Sequence, residues 1–411
     1  MSRSPIHSGH RRSDDPEHRA ARRPTARLIA AGAALALLLG AAACSSGGTG
    51  NAGTSGTAGN ANNAGSTSAS GQSGQGTSGR SDSGSSTATN TVIPDQPVGN
   101  ATLTIYSGQH EALVQALTAA FTKATGIKTT IRAGEDAELA NQIIEEGAAS
   151  PADLYLSEEP GPVGLLDSKG LLAKVDPATL QEADQRLVPS TGDWLPYAAR
   201  SRALFYDPKL ISEADLPHSI MDLTQPQWKG KFAYAPSGAF TATVSYLIDT
   251  IGSDKTLDWL KGIKANGINE QTNGKVRDSV EAGQHAFGLS NHYYWYILAA
   301  QKGGADKLAS RVYFFDHPDA GGLLLASGAG VIKASKHQAE AQEFLKWLGS
   351  ADGGQQVIAG AQAAQFPVAP GVVSKTPGMP SLADLKAPNV DSSIYADTTE
   401  AQALIIKAGM S

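Results

Sequence analysis

Cysteine occurs once in the 411 residues, at Cys44, so no internal disulfide can form and no thiolate-rich zinc or copper(I) site is available. Aromatic residues are missing from the first quarter, because all 5 Trp, 11 Tyr and 9 Phe lie at Tyr106 or later. That stretch has no material for a core. A positive face is lacking too. The 33 basic and 39 acidic residues give a formal charge of −6, and residues 1–43 hold seven arginines against three acids. Without that segment 26 basic residues face 36 acidic ones, a balance of −10. Nucleic acid is therefore excluded as a partner. The long hydrophobic run is Leu28–Ala43, sixteen residues, where a spanning helix needs about 20.

That run follows the arginines and ends in Ala41-Ala42-Ala43 before Cys44. The pattern reads as a signal peptide over 1–43. Small residues before a lone cysteine resemble a bacterial lipoprotein cleavage box, although Ala41 stands where such boxes usually carry Leu. Lipidation at Cys44 is expected, with the protein held at the outer face of the cytoplasmic membrane by that anchor alone. Arg22-Arg23 lacks the strongly apolar neighbour of a twin-arginine signal; either export route leads out of the cytoplasm. In residues 45–90, 42 of 46 positions are Gly, Ser, Thr, Ala or Asn. Such a composition cannot offset its ordering entropy, so 44–98 is expected to be a disordered tether reaching roughly 40 Å.

Beyond it the pattern alternates. Thr102–Tyr106 reads as a strand, Glu111–Ala124 as a helix, Ile127–Ile131 as a strand, Asp136–Gly147 as a helix and Ala152–Leu156 as a strand. This β-α-β-α-β order implies an open, mostly parallel sheet with helices on both faces. Strands Lys231–Ala235 and Ala286–Ser290 recur later, with helices near Phe240–Thr250, Asp254–Lys264 and Gln338–Leu348.

Ligands bind beyond the carboxyl ends of strands in such sheets, and unusual polar residues fall there four times. His110 follows the first strand and Glu158 the third. Ser237-Gly238-Ala239 and Asn291-His292-Tyr293-Tyr294-Trp295-Tyr296 follow the two later ones. His, Glu and paired Tyr make a hard N/O donor set, and phenolate needs a cation acidic enough to displace a proton of pKa about 10, as ferric iron is. The same residues read equally as an aromatic core patch or stacking platform, a satisfied histidine and a solvated loop carboxylate. The Ser-Gly-Ala turn suits an anion at a helix start or a plain serine cap.

Six segments tip the balance: Tyr-Ser-Gly-Gln-His at 106–110, Pro-Ala-Asp-Leu-Tyr-Leu-Ser-Glu at 151–158, Gln-Trp-Lys-Gly-Lys at 227–231, Ser-Gly-Ala-Phe at 237–240, Tyr-Tyr-Trp-Tyr at 293–296 and Lys-Ala-Ser-Lys-His-Gln-Ala-Glu-Ala at 333–341. Together they resemble the ferric-iron-binding proteins of bacterial ABC uptake systems. The resemblance implies an α/β, two-lobed, type II periplasmic-binding-protein fold with a two-strand hinge near Ala199–Phe205 and Gly322–Ile332. The lobes are expected at 99–200 plus 325–375 and at 201–324 plus 376–411. It further implies Fe(III) held by His110, Glu158, Tyr293 and Tyr294, with a synergistic phosphate or carbonate on Ser237, Gly238, Ala239, Asn273 and Asn291. His292 departs from the family pattern, which commonly has Asn there, and bears on the anion. A monomer serving an ABC permease and its ATPase, without enzymatic activity, is the expected role. An organic or phosphonate-type anion binder of the same fold, and a metal-dependent hydrolase, are the alternatives.

Overall fold

The computed structural model describes residues 101–410. The expected signal peptide, the expected lipidation site Cys44 and the expected tether to residue 98 lie outside them. Ten strands form the sheet framework: β1 (Thr102–Ser107), β2 (Lys128–Ala133), β3 (Leu154–Ser157), β4 (Leu195–Tyr206), β5 (Phe232–Tyr234), β6 (Ile268–Asn269), β7 (Phe287–Asn291), β8 (Arg311–Tyr313), β9 (Leu324–Val331) and β10 (Phe366–Pro367).

The strands run in the order β2-β1-β3-β9-β4-β7-β5-β6, with β8 and β10 also paired to β4. Parallel pairing holds within each end, β2-β1-β3 and β7-β5-β6. The middle is different. β9 is antiparallel to β3 and β4, and β4 is antiparallel to β7. The sheet is thus mixed rather than mostly parallel, because the strands returning between the two ends run against them.

β4 explains the architecture. Its first half, Leu195–Ser201, pairs with β9, and its second half, Arg202–Tyr206, pairs with β7. All twelve residues are buried, so the strand is a shared spine for two cores. One core gathers Leu103, Ile105, Leu117, Phe121, Leu154 and Phe344. Phe121 and Phe344 meet edge to face at 4.8 Å, and truncating Phe344 to Ala would cost about 3–5 kcal/mol. The other core gathers Leu204, Phe232, Phe240, Trp259, Leu260 and Phe287. The segment 376–410 divides between them: Leu382 and Leu385 enter the first core, Ala401, Leu404 and Met410 the second.

Helices form where apolar spacing is helical. Glu111–Thr125 buries Leu113, Val114, Leu117, Thr118 and Phe121, and Asp136–Glu146 buries Leu139, Ala140 and Ile143. Both pack on the first core, while Gly238–Ile251 and Ser253–Asn266 pack on the second. Among the described residues no helix is long and apolar enough to cross a membrane.

Candidate metal centre

Each candidate ligand sits where a strand hands over to a helix. His110 is the residue before the helix Glu111–Thr125, and its carbonyl accepts from the Leu113 and Val114 amides, so its ring is left to the cleft. Glu158 follows β3 on the turn into Pro160–Ser168. Tyr293 and Tyr294 lie in the first turn of His292–Lys302, directly after β7.

These residues come from both lobes and meet. His110 Nε2 lies 3.5 Å from Glu158 Oε1. The His110 ring stands edge-on to Tyr293 with centroids 5.9 Å apart, and Tyr293 stacks on Tyr294 at 4.3 Å. Burial, then the charge of Glu158, push the Tyr293 phenol well above its ordinary value. Among the described residues no three His, Cys, Asp or Glu side chains cluster as a metal site. The phenol oxygens are needed to complete a cation's shell here.

The anion candidates lie beside this group. Ser237 precedes the helix Gly238–Ile251 without capping it through its side chain; its Oγ instead accepts from Asn273 Nδ2 at 2.9 Å. Asn291 Oδ1 accepts from Arg202 at 2.8 Å, which leaves its amide nitrogen as a donor. First-turn N–H groups and the dipole of a 14-residue helix favour negative charge at this end.

His292 behaves otherwise than expected. It is fully buried and stacked on Phe366 at 4.4 Å. Its Nδ1 accepts from the Ser201 amide at 3.1 Å and its Nε2 faces the Ala364 carbonyl at 2.9 Å, which assigns the Nε2–H tautomer. Both ring nitrogens are used inside the protein, and none remains for an anion.

The segment around Ala199–Phe205 holds what sequence reading missed. It is not simply apolar: Arg200 and Arg202 are buried at 1% and 2% exposure. Two arginines two apart on one strand face the same way, and that spacing within an otherwise apolar run was the available signal. Arg200 lies 3.6 Å from Glu158 Oε1, pairs with the Glu159 carboxylate, and donates to the Glu158 carbonyl. Burial opposes its charge, but Glu159 and Glu158 more than offset that and raise its proton affinity. Arg202, opposite Asn291 in the β4–β7 register, is lowered by burial to about 10.

Asp136 supports the Glu158 turn from behind. It accepts from Ser157 Oγ at 2.8 Å, from the Glu159 amide at 2.9 Å and from the Tyr155 hydroxyl. Burial raises it to about 6 against those hydrogen bonds. Gly108 makes the arrangement possible, since a Cβ there would collide with the Asp136 side chain.

Residues 106–355 match the model of a family described as bacterial extracellular solute-binding protein. The Fe(3+)-binding periplasmic protein of Serratia marcescens is 41% identical over 309 residues, covering 75% of this chain and 90% of that protein. The major ferric iron-binding protein of Neisseria meningitidis is 37% identical, covering 75% and 93%. Iron-bound HitA from Pseudomonas aeruginosa superposes with a TM-score of 0.69 at 41% identity, covering 75% of this chain and 99% of its own.

Proposed function

Because this chain belongs to the bacterial extracellular solute-binding proteins, we propose that it captures ferric iron between its lobes and delivers it to an ABC permease driven by its ATPase. The observation that carries this reading is the meeting of His110, Glu158, Tyr293 and Tyr294 from two lobes at one point. Three of the four are hard anionic oxygen donors once the phenols lose their protons, which suits a small trivalent cation. His110 adds a neutral nitrogen. Ser237, Gly238, Ala239, Asn273 and Asn291 hold an anion of the phosphate or carbonate class that completes the shell.

Arg200 holds Glu158 in position and offsets the charge of the carboxylates while the site is without metal. Iron entry then displaces the phenol protons, and closure of the lobes excludes water. Release reverses these steps; no covalent chemistry is needed, and the role is binding and transport rather than catalysis. The protein is exported, anchored by a lipid at Cys44 and monomeric. The names and iron-bound state of its relatives support iron over an organic solute. Equilibrium dialysis of metal-free protein against ferric citrate tests this: stoichiometric retention of iron is expected, and retention no greater than for serum albumin would end the reading.

A further inference from the structure

His110 is held over the cleft mainly through its backbone. Its side chain is 42% exposed, lies 3.5 Å from Glu158 and stands edge-on to Tyr293. It does not cap the helix that follows it. The His110 carbonyl accepts from that helix, and the His110 N–H donates to Gln109 Oε1 at 3.0 Å.

Gln109 is 4% exposed, and both polar ends of its side chain are engaged. A backbone N–H can only donate, so the contact to His110 identifies which end of the amide is oxygen. Nε2 then points the other way, donating to Tyr197 Oη and Ser327 Oγ at 3.1 Å each. Ser327 Oγ in turn donates to the Glu158 carbonyl at 3.1 Å. One amide thus ties the turn carrying His110 to the turn carrying Glu158. A second amide faces it. Gln365, 1% exposed, donates through Nε2 to Gln109 Oε1 at 3.1 Å.

Gln365 is itself fixed at the crossing between the lobes. Phe366 after it pairs with Ala199 of β4. Ala364 before it has φ of +50°, a conformation uncommon for a residue with a Cβ. Strain of this kind persists only where the surroundings over-determine it. Here the Ala364 carbonyl accepts from His292 Nε2 at 2.9 Å, and His292 is the first residue of the helix that carries both tyrosines. His110 and the tyrosines therefore hang on one short segment, through Gln365 on one side and Ala364 on the other.

Resting on the iron reading above, we propose that Gln109 is a positioning residue for His110, anchored by Gln365, that holds the imidazole in reach of a cation shared with the tyrosines. A neutral network does this without adding charge beside the metal. The two amides are ordered on folding rather than on iron capture, so the cost of placing the ligand is met beforehand.

The test is a double-mutant cycle on ferric-ion affinity, measured by competition with citrate. Gln109→Met keeps the side chain's length without its hydrogen bonds, and thermal melting establishes that it folds. It should weaken iron binding about tenfold or more in the parent. In His110→Ala, where the ligand it positions is already gone, it should weaken binding by less than about twofold. At saturating iron, the imidazole-nitrogen modulation of the ferric electron spin echo should be present in the parent and reduced in Gln109→Met. If Gln109→Met does not fold, Gln365→Met takes its place in both measurements. A loss of about fivefold is then expected, because His110 keeps its acceptor and one neutral hydrogen bond is removed. Equal losses in both backgrounds, no loss in the parent, or an unchanged nitrogen signal would overturn the inference while iron binding stands. If His110→Ala holds iron as tightly as the parent, the imidazole is not a ligand and the inference falls. If the parent itself retains no iron, the iron reading fails, and this inference with it.

Discussion

The Ser201 amide donates to His292 Nδ1 at 3.1 Å, tying the residue before the paired tyrosines to the strand that both cores share. His292 also faces the Ala364 carbonyl, so one imidazole joins three segments at the crossing between the lobes. Burial lowers its pKa from 6.5 to about 3, with Arg200 adding to the effect and the backbone contacts opposing it. A histidine whose folded value lies below its unfolded one contributes stability above the unfolded value, and that stability is lost as pH falls.

Between pH 6.5 and about 3, His292 should therefore add to acid destabilisation, by at most about 1.4 kcal/mol for each pH unit crossed. His292→Gln keeps one donor and one acceptor but cannot charge. It should be less stable than the parent near neutrality and lose less stability on acidification. Melting curves that fall in parallel for the two proteins would exclude this role.

Asp136 acts with the opposite sign. Its folded value of about 6 lies above the ordinary 3.8, so its contribution is present below 3.8 and lost as pH rises through about 6. Asp136→Asn should remove that component, and the stability gap between parent and variant should change over this window. A constant gap across it, measured by denaturant unfolding, would contradict the assignment.

Arg200 tests whether the two carboxylates are held as a unit. Arg200→Met should destabilise by about 1–3 kcal/mol, because it leaves the half-buried Glu158 and Glu159 carboxylates without their cation. Arg200→Lys retains the charge but loses the planar fork that reaches both Glu158 and Glu159. It should fold, and should bind iron at least about tenfold more weakly. Wild-type affinity in Arg200→Lys would mean that Glu158 is positioned without it.

Anchoring is tested separately. Cys44→Ala should move the exported protein from the membrane fraction to the soluble fraction outside the cytoplasm. Identical fractionation of variant and parent would refute lipidation at Cys44.

Local order is readable wherever one face of an element is buried. Leu113, Leu117 and Phe121 lie inward as their spacing requires, and so do Phe344, Leu345 and Leu348. The antiparallel middle of the sheet is not readable, because pairing direction between distant strands depends on the path of the chain and leaves no local period. His110 and Glu158 stand out as polar residues at strand ends. Glu159 does not, since adjacent carboxylates on a turn ordinarily mean solvent, and only the partner Arg200 from β4 gives it a place. The place of His292 is hidden for a related reason. Its neighbours Asn291 and Tyr293 face the cleft residues Arg202 and His110, but the helix turns its ring into the crossing.

The visible spectrum of the metal-free protein on titration with ferric citrate tests the central claim most directly. Phenolate donors should give a phenolate-to-iron absorption band that saturates with bound iron and fades as pH falls, because protons compete for Tyr293 and Tyr294. Tyr293→Phe and Tyr294→Phe should each dim or abolish the band and weaken binding. Tyr296→Phe should leave both intact, since the Tyr296 hydroxyl donates to the Gly378 carbonyl away from the ligands. Absence of the band in the parent, or parent-like iron binding in both Tyr293→Phe and Tyr294→Phe, would contradict the account, because a stacking site tolerates Phe and a phenolate site does not.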